Sequence, residues 1–149
     1  MFIYGKMAAN AIAVMSYLAE EPGRRAGSRD IAQIRRLSRP LTAKILTQLA
    51  AAGLVSGQPG PGGGYTLARN PSEITLFEIA ALFGQINPPE LCPFGAGWCG
   101  HEAPCPMHDQ IEAILKSNLQ FMHDNTLEKF VGKPATRTIQ PQDPPTPAA

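Results

Sequence analysis

All three cysteines of the 149-residue chain lie between Leu91 and His108, in the stretch LCPFGAGWCGHEAPCPMH. Six residues separate Cys92 from Cys99, five separate Cys99 from Cys105, and His108 follows Cys105 by three. Thiolates bind soft or borderline metals, and imidazole completes such sets. Gly95, Gly97, Gly100, Pro93 and Pro104 make the intervening chain turn-rich, able to wrap a compact object that Phe94 and Trp98 could shield from water. Pro106 suits the first turn of a helix, which would place Cys105 at a helix N-terminus, where a thiolate is favoured. Cys105 and His108, three apart, would then share one helix face. His101 and Glu102 are reserve ligands, or simply solvated loop residues. The spacing fits an iron–sulfur cluster best. A zinc site usually carries a tight C-x2–4-C pair that is missing here, and bare redox-active thiols are the third reading. An odd number of cysteines argues against a closed disulfide framework.

The elements that must position this loop are legible on both sides of it. Lys6 to Glu20 has helical apolar spacing in Ala8, Ala9, Ile12, Met15, Leu18 and Ala19, and Pro22-Gly23 ends it. Arg24 and Arg25 then fall in an exposed turn. Ser28 is expected to cap a short helix over Arg29–Arg35 that buries Ile31 and Ile34. Ser38 caps a second, reaching Ala52, with Leu41, Ile45, Leu46 and Leu49 inside and Pro40 in its first turn. Two such helices predict a helix-turn-helix, whose second helix meets base edges with its N-terminal residues. Arg39, Thr42, Ala43 and Lys44 occupy those positions, with Arg39, Thr42 and Lys44 as base readers and Arg35 and Arg36 as backbone contacts. Ser28 and Ser38 join the candidate interface.

Gly53 closes the second helix. Leu54–Ser56 and Tyr65–Ala68 are expected strands around residues 57–64, GQPGPGGG, which is too long for a tight hairpin and too glycine-rich for regular strand. Gly60, Gly62, Gly63 and Tyr65 would bring this wing close to phosphate or a minor groove. No GK[ST] follows, so a nucleotide-phosphate loop is excluded. Asn70-Pro71 reads as a linker, and residues 75–83 as a short helix apolar on nearly all sides, packed between the DNA-binding core and a C-terminal helix. From Pro106 to Phe130, Met107, Ile111, Ile114, Leu115, Leu119, Met122 and Leu127 predict one helix of about 36 Å, long enough to pair with a second subunit. Gly132 to Ala149 holds five prolines and is expected to be disordered.

The net charge of +1 conceals an asymmetry: residues 1–69 carry nine Lys/Arg against three Asp/Glu, and residues 70–149 four against nine. A basic half joined to an acidic half suggests nucleic-acid binding coupled to a separate second function. No run of eighteen apolar residues and no signal-peptide pattern is present, so a cytoplasmic protein without a membrane span is expected. No catalytic dyad or nucleotide loop points to an enzyme.

Over about residues 1–130 the chain resembles the bacterial winged-helix iron–sulfur transcriptional regulators, the family of IscR, NsrR and RirA. AGLV at Ala52–Val55, GPGGGYTLAR at Gly60–Arg69 and the three-cysteine loop carry the resemblance. It implies a mostly α fold: a winged helix-turn-helix with a two-stranded wing and a long C-terminal dimerisation helix. The implied organisation is a DNA-binding domain at 1–83, a cluster loop at 84–105, a dimer helix at 106–131 and a tail at 132–149. The implied partners are a second copy of the chain and a pseudo-palindromic operator. The implied ligands are Cys92, Cys99 and Cys105, with His108 in the C-x2-H arrangement that some members use on a 2Fe–2S cluster. Members with a 4Fe–4S cluster instead use an acid near the start of the first helix, and Lys6–Asn10 contains none. The family wing usually carries an arginine before its first glycine; here Pro59 stands there. A regulator working through thiols or zinc, and a cluster-carrying protein-interaction module, remain the alternatives.

Overall fold

The structure, a computed structural model, describes residues 4–84, 86 and 103–134. The element order is α1 (Lys6–Glu20), α2 (Ser28–Ile34), α3 (Arg39–Ala51), β1 (Val55–Gln58), β2 (Gly64–Leu67), a 3-10 turn at Pro71–Glu73, α4 (Leu76–Ala81), α5 (His108–Asp124) and a 3-10 turn at Leu127–Phe130. It is mostly helical, with one two-stranded antiparallel sheet.

Helix α1 buries Ala8, Ala11, Val14, Met15, Leu18 and Ala19, the centre of the core; Ala9 faces solvent. Helix α2 starts one residue earlier than expected. Gly27 is its N-cap and Ser28 its first helical residue. Its inner face is Ile31 and Ala32, while Ile34 is 51 % exposed, because Arg35 rather than Ile34 continues the buried side toward α1. Helix α3 behaves as read at both ends. The Ser38 hydroxyl accepts from the Leu41 N–H, and the Gly53 and Leu54 N–H groups return to the Ala50 and Leu49 carbonyls with Gly53 at φ +74°. That is a left-handed C-terminal cap, which glycine adopts at no steric cost. Replacing Ser38 by Ala removes the cap and should lower stability by about 1 kcal/mol in denaturant unfolding.

The wing is tighter than the sequence suggested. Val55 pairs with Leu67, Ser56 with Thr66, Gly57 with Tyr65 and Gln58 with Gly64, so only residues 59–63 form the tip. Gly57 is tolerated in the strand because the Tyr65 ring covers it. A single bridge between Ala26 and Tyr65, bonded in both directions at 2.9 and 2.8 Å, adds a third row to the sheet at that point.

Asn70-Pro71 is no free linker: Asn70 caps the 3-10 turn through the Ser72 N–H, and Pro71 is buried. Thr75 caps α4, which packs on both α1 and α5 as expected. The C-terminal helix differs most from its expected form. It has 17 residues, about 25 Å. It ends at Asp124, where the Leu76 N–H donates to the Asn125 carbonyl and the Leu127 N–H to the Ile74 carbonyl. Thr126 bridges Thr75, Leu127 is fully buried against the core, and the Gly132 N–H donates to the Glu20 carbonyl. The tail expected to be disordered lies, beyond Pro134, outside the described residues.

Candidate nucleic-acid interface and metal-ligand turn

Packing of α2 against α3 leaves one face of α3 open: Arg39, Pro40, Ala43, Lys44, Thr47 and Gln48 are all exposed. Thr42 is not among them. It is fully buried, and its hydroxyl donates to the Ser38 carbonyl at 3.0 Å, so it supports the cap rather than reading bases. Thr47 and Gln48 extend the open face one turn further; helical spacing from Arg39 and Lys44 was the signal for them.

Arg35, expected on the DNA backbone, is engaged within the protein. Its guanidinium donates to Glu20 at 2.7 Å, to the Ala13 carbonyl at 2.9 Å and to the Ser16 hydroxyl at 3.3 Å, and lies 5.4 Å from the Tyr17 ring centroid. With 14 % of its side chain exposed, it ties α2 to α1 and is spent on that contact rather than on a phosphate. Arg24 covers the same Tyr17 ring at 4.6 Å and pairs with Glu21. Arg36 is exposed at φ +53°, the left-handed conformation that ends α2. It occupies the place in the turn where glycine would be unstrained.

At the wing tip, Gly60 and Gly62 have positive φ and open surroundings. Gly63 is different. A side chain there would collide with the Gln58 and Gly60 carbonyls, so this glycine is demanded by the hairpin itself. The Tyr65 ring is half-buried and packs onto the core. Ser28 and Ser38 flank the helix starts, half-buried and exposed respectively.

Of the four expected metal ligands, Cys92 and Cys99 lie outside the described residues, as do His101 and Glu102. Cys105 and His108 are described. Cys105 is 4 % exposed, and the His108 N–H donates to its carbonyl at 3.0 Å, closing one turn that delivers His108 as the first residue of α5. Pro106 lies in this turn before the helix, not inside it. Cys105 therefore precedes the α5 N-terminus by three residues instead of occupying it. A buried thiol and an imidazole one turn apart fit the donor chemistry of a cysteine–histidine site. Among the described residues no three His, Cys, Asp or Glu groups converge, and the first turn of α1 holds no acid.

A helix-turn-helix followed by a two-stranded wing, with a basic exposed face on its second helix, defines a winged-helix DNA-binding transcriptional regulator. A family described as "Rrf2: Iron-dependent Transcriptional regulator" matches residues 5–133, and the chain belongs to that family. A candidate HTH-type transcriptional regulator of Aquifex aeolicus is 33 % identical over 124 residues, covering 81 % of this chain and 85 % of that one. The solved structure of CymR, the global cysteine regulator of B. subtilis, superposes with a TM-score of 0.70 at 27 % identity, covering 86 % of this chain and 95 % of its own. T. potens IscR shares the fold, with a TM-score of 0.59 at 24 % identity over 83 % of this chain and 81 % of its own. The family and the Aquifex relative are described as regulators of transcription, not as enzymes. No helix among the described residues is long and apolar enough to cross a membrane.

Proposed function

We propose that this regulator is cytoplasmic, acts as a homodimer, and senses iron, redox state or nitric oxide through an iron–sulfur cluster held by Cys92, Cys99, Cys105 and His108. The observation that carries the reading is the turn from buried Cys105 to His108 at the head of α5, in a family described as iron-dependent. When bound, the cluster supplies a centre that oxidation, nitrosylation or iron loss can remove. The protein's part is to carry that change to the DNA face. The loop joins the C-terminal end of α4, which packs on α1, to the start of α5, whose far end is held at the start of α4 by His123 stacked on Phe77 with ring centroids 3.9 Å apart. Ordering or disordering the loop between them shifts α5 against α4, a two-state element of the kind that biases docking geometry.

The outer face of α5 supports a second copy as partner. Met107, Ile114 and Phe121 are 42, 48 and 55 % exposed, with half-buried Ile111 between them, while Leu115 and Met122 face inward. Spacings of four, three and seven residues make that stripe a coiled-coil-like seam. Two recognition helices would then meet half-sites about 34 Å apart on a pseudo-palindrome, with Arg39 and Lys44 at base edges and Arg36 and the wing tip on the backbone.

Protein purified without oxygen should show cluster absorption with about two irons and two sulfides per chain, lost or shifted by His108→Ala. About four irons per chain, indifferent to His108, would replace the 2Fe–2S assignment by a 4Fe–4S one with another ligand. Colourless, iron-free protein would favour the second reading, a regulator sensing through bare thiols or zinc.

A further inference from the structure

The basic half of the chain has nine Lys and Arg side chains, and the structure divides them. Arg24, Arg35 and Arg69 are bound in ion pairs with Glu21, Glu20 and Glu78. The other six, Lys6, Arg25, Arg29, Arg36, Arg39 and Lys44, are exposed and form no ion pair among the described residues. Arg36, Arg39 and Lys44 cluster around the start of α3. The wing tip, by contrast, contains no charged side chain at all between Gly57 and Gly64. A wing that approaches a phosphate needs a cation from elsewhere, because charge neutralisation dominates affinity for duplex DNA.

We infer that Arg29, on α2, is the phosphate-contacting cation of the wing. Antiparallel pairing of Ala26 with Tyr65 sends the chain after Ala26 alongside the chain before Tyr65. The backbone contact is close: a side chain on Gly64 would strike the Ala26 carbonyl at 2.8 Å. Gly27 therefore runs past Gly64, and α2 begins at Ser28 on the tip side of the bridge; Arg25 lies on the opposite side, toward the base of the wing. Arg29, the second residue of α2, is exposed. Asp30, the acid beside it, has its Oδ2 close to Gly27, 3.4 Å from where a Cβ there would stand, and forms no ion pair with Arg29. A cation in the first turn opposes the helix dipole, so α2 itself gains nothing from it. The first helix of a helix-turn-helix crosses the DNA backbone, which is where such a side chain would act.

The test is the salt dependence of affinity for two unrelated 30-base-pair duplexes, measured for wild type, Arg29→Ala and Arg29→Gln. Both variants should bind about two- to fivefold more weakly at low salt, equally on both sequences. Their log–log salt slopes should be shallower by about 0.9, the loss of one phosphate contact. Adding Pro59→Arg to Arg29→Ala should restore the slope by returning a cation to the same tip. Unchanged slopes in both variants, or a loss confined to one sequence, would overturn the assignment. Wild type without affinity for either duplex would overturn the DNA-binding reading, and this inference with it.

Discussion

Glu20→Ala should lower the stability of this protein by about 3 kcal/mol in denaturant unfolding. Removing one partner of a buried pair strands the other charge, and such losses run to several kcal/mol. The Glu20 side chain is 8 % exposed and receives Arg35 at 2.7 Å. Arg35 would keep the Ala13 carbonyl and the Ser16 hydroxyl but lose its counter-charge. Replacing both residues by Met should recover most of the loss, since apolar side chains of similar volume often substitute for a buried pair without cost. The double variant also decides what Arg35 is for. If Arg35 is a clamp between α2 and α1, the salt slope of DNA binding in the double variant equals that of wild type. A slope shallower by about one would return Arg35 to the phosphate contacts.

The second large effect is expected at Leu127. Leu127→Ala should cost about 3 kcal/mol, within the range found for emptying a fully buried leucine site. Leu127 has no exposed surface, and its N–H is held by the Ile74 carbonyl. It fastens the end of α5 to the winged helix beside the start of α4. Phe121→Ala, on the outer face of α5 and 55 % exposed, should by comparison leave monomer stability within about 0.5 kcal/mol. Thermal unfolding at low protein concentration separates the two. A Leu127→Ala loss below about 1 kcal/mol would show that residues 125–130 do not belong to the core.

Both predictions concern contacts that sequence reading missed, and for one physical reason. Arg35 and Glu20 are 15 residues apart, and nothing local in either helix says that their side chains meet. Arg35 adjoins Arg36 in a basic stretch, where charge alone suggests DNA. Thr42 failed in the same way: its position near the start of α3 suits a base contact, but the packed face of the helix happens to include it. Leu127 continues a helical apolar spacing from Met122 and Leu119, so periodicity alone carries the helix past Asp124. The chain leaves the helix because Asn125 and Thr126 find backbone partners at Leu76 and Thr75, a tertiary competition invisible to periodicity.

What the amino-acid sequence alone determined is the set of features with local causes. These are the span of α1 from its apolar spacing, the start of α3 from Ser38, its end from Gly53, and the wing's two strands on either side of a glycine-rich tip. Each rests on φ preferences, capping hydrogen bonds or helix periodicity within a few residues. What only the tertiary structure decided is which side chains those elements leave available. It paired three of the nine cations of residues 1–69 with acids, buried Thr42, and folded the chain after Asp124 back onto the core. Burial and ion pairing depend on neighbours distant in the chain, and those neighbours exist only once the helices have packed.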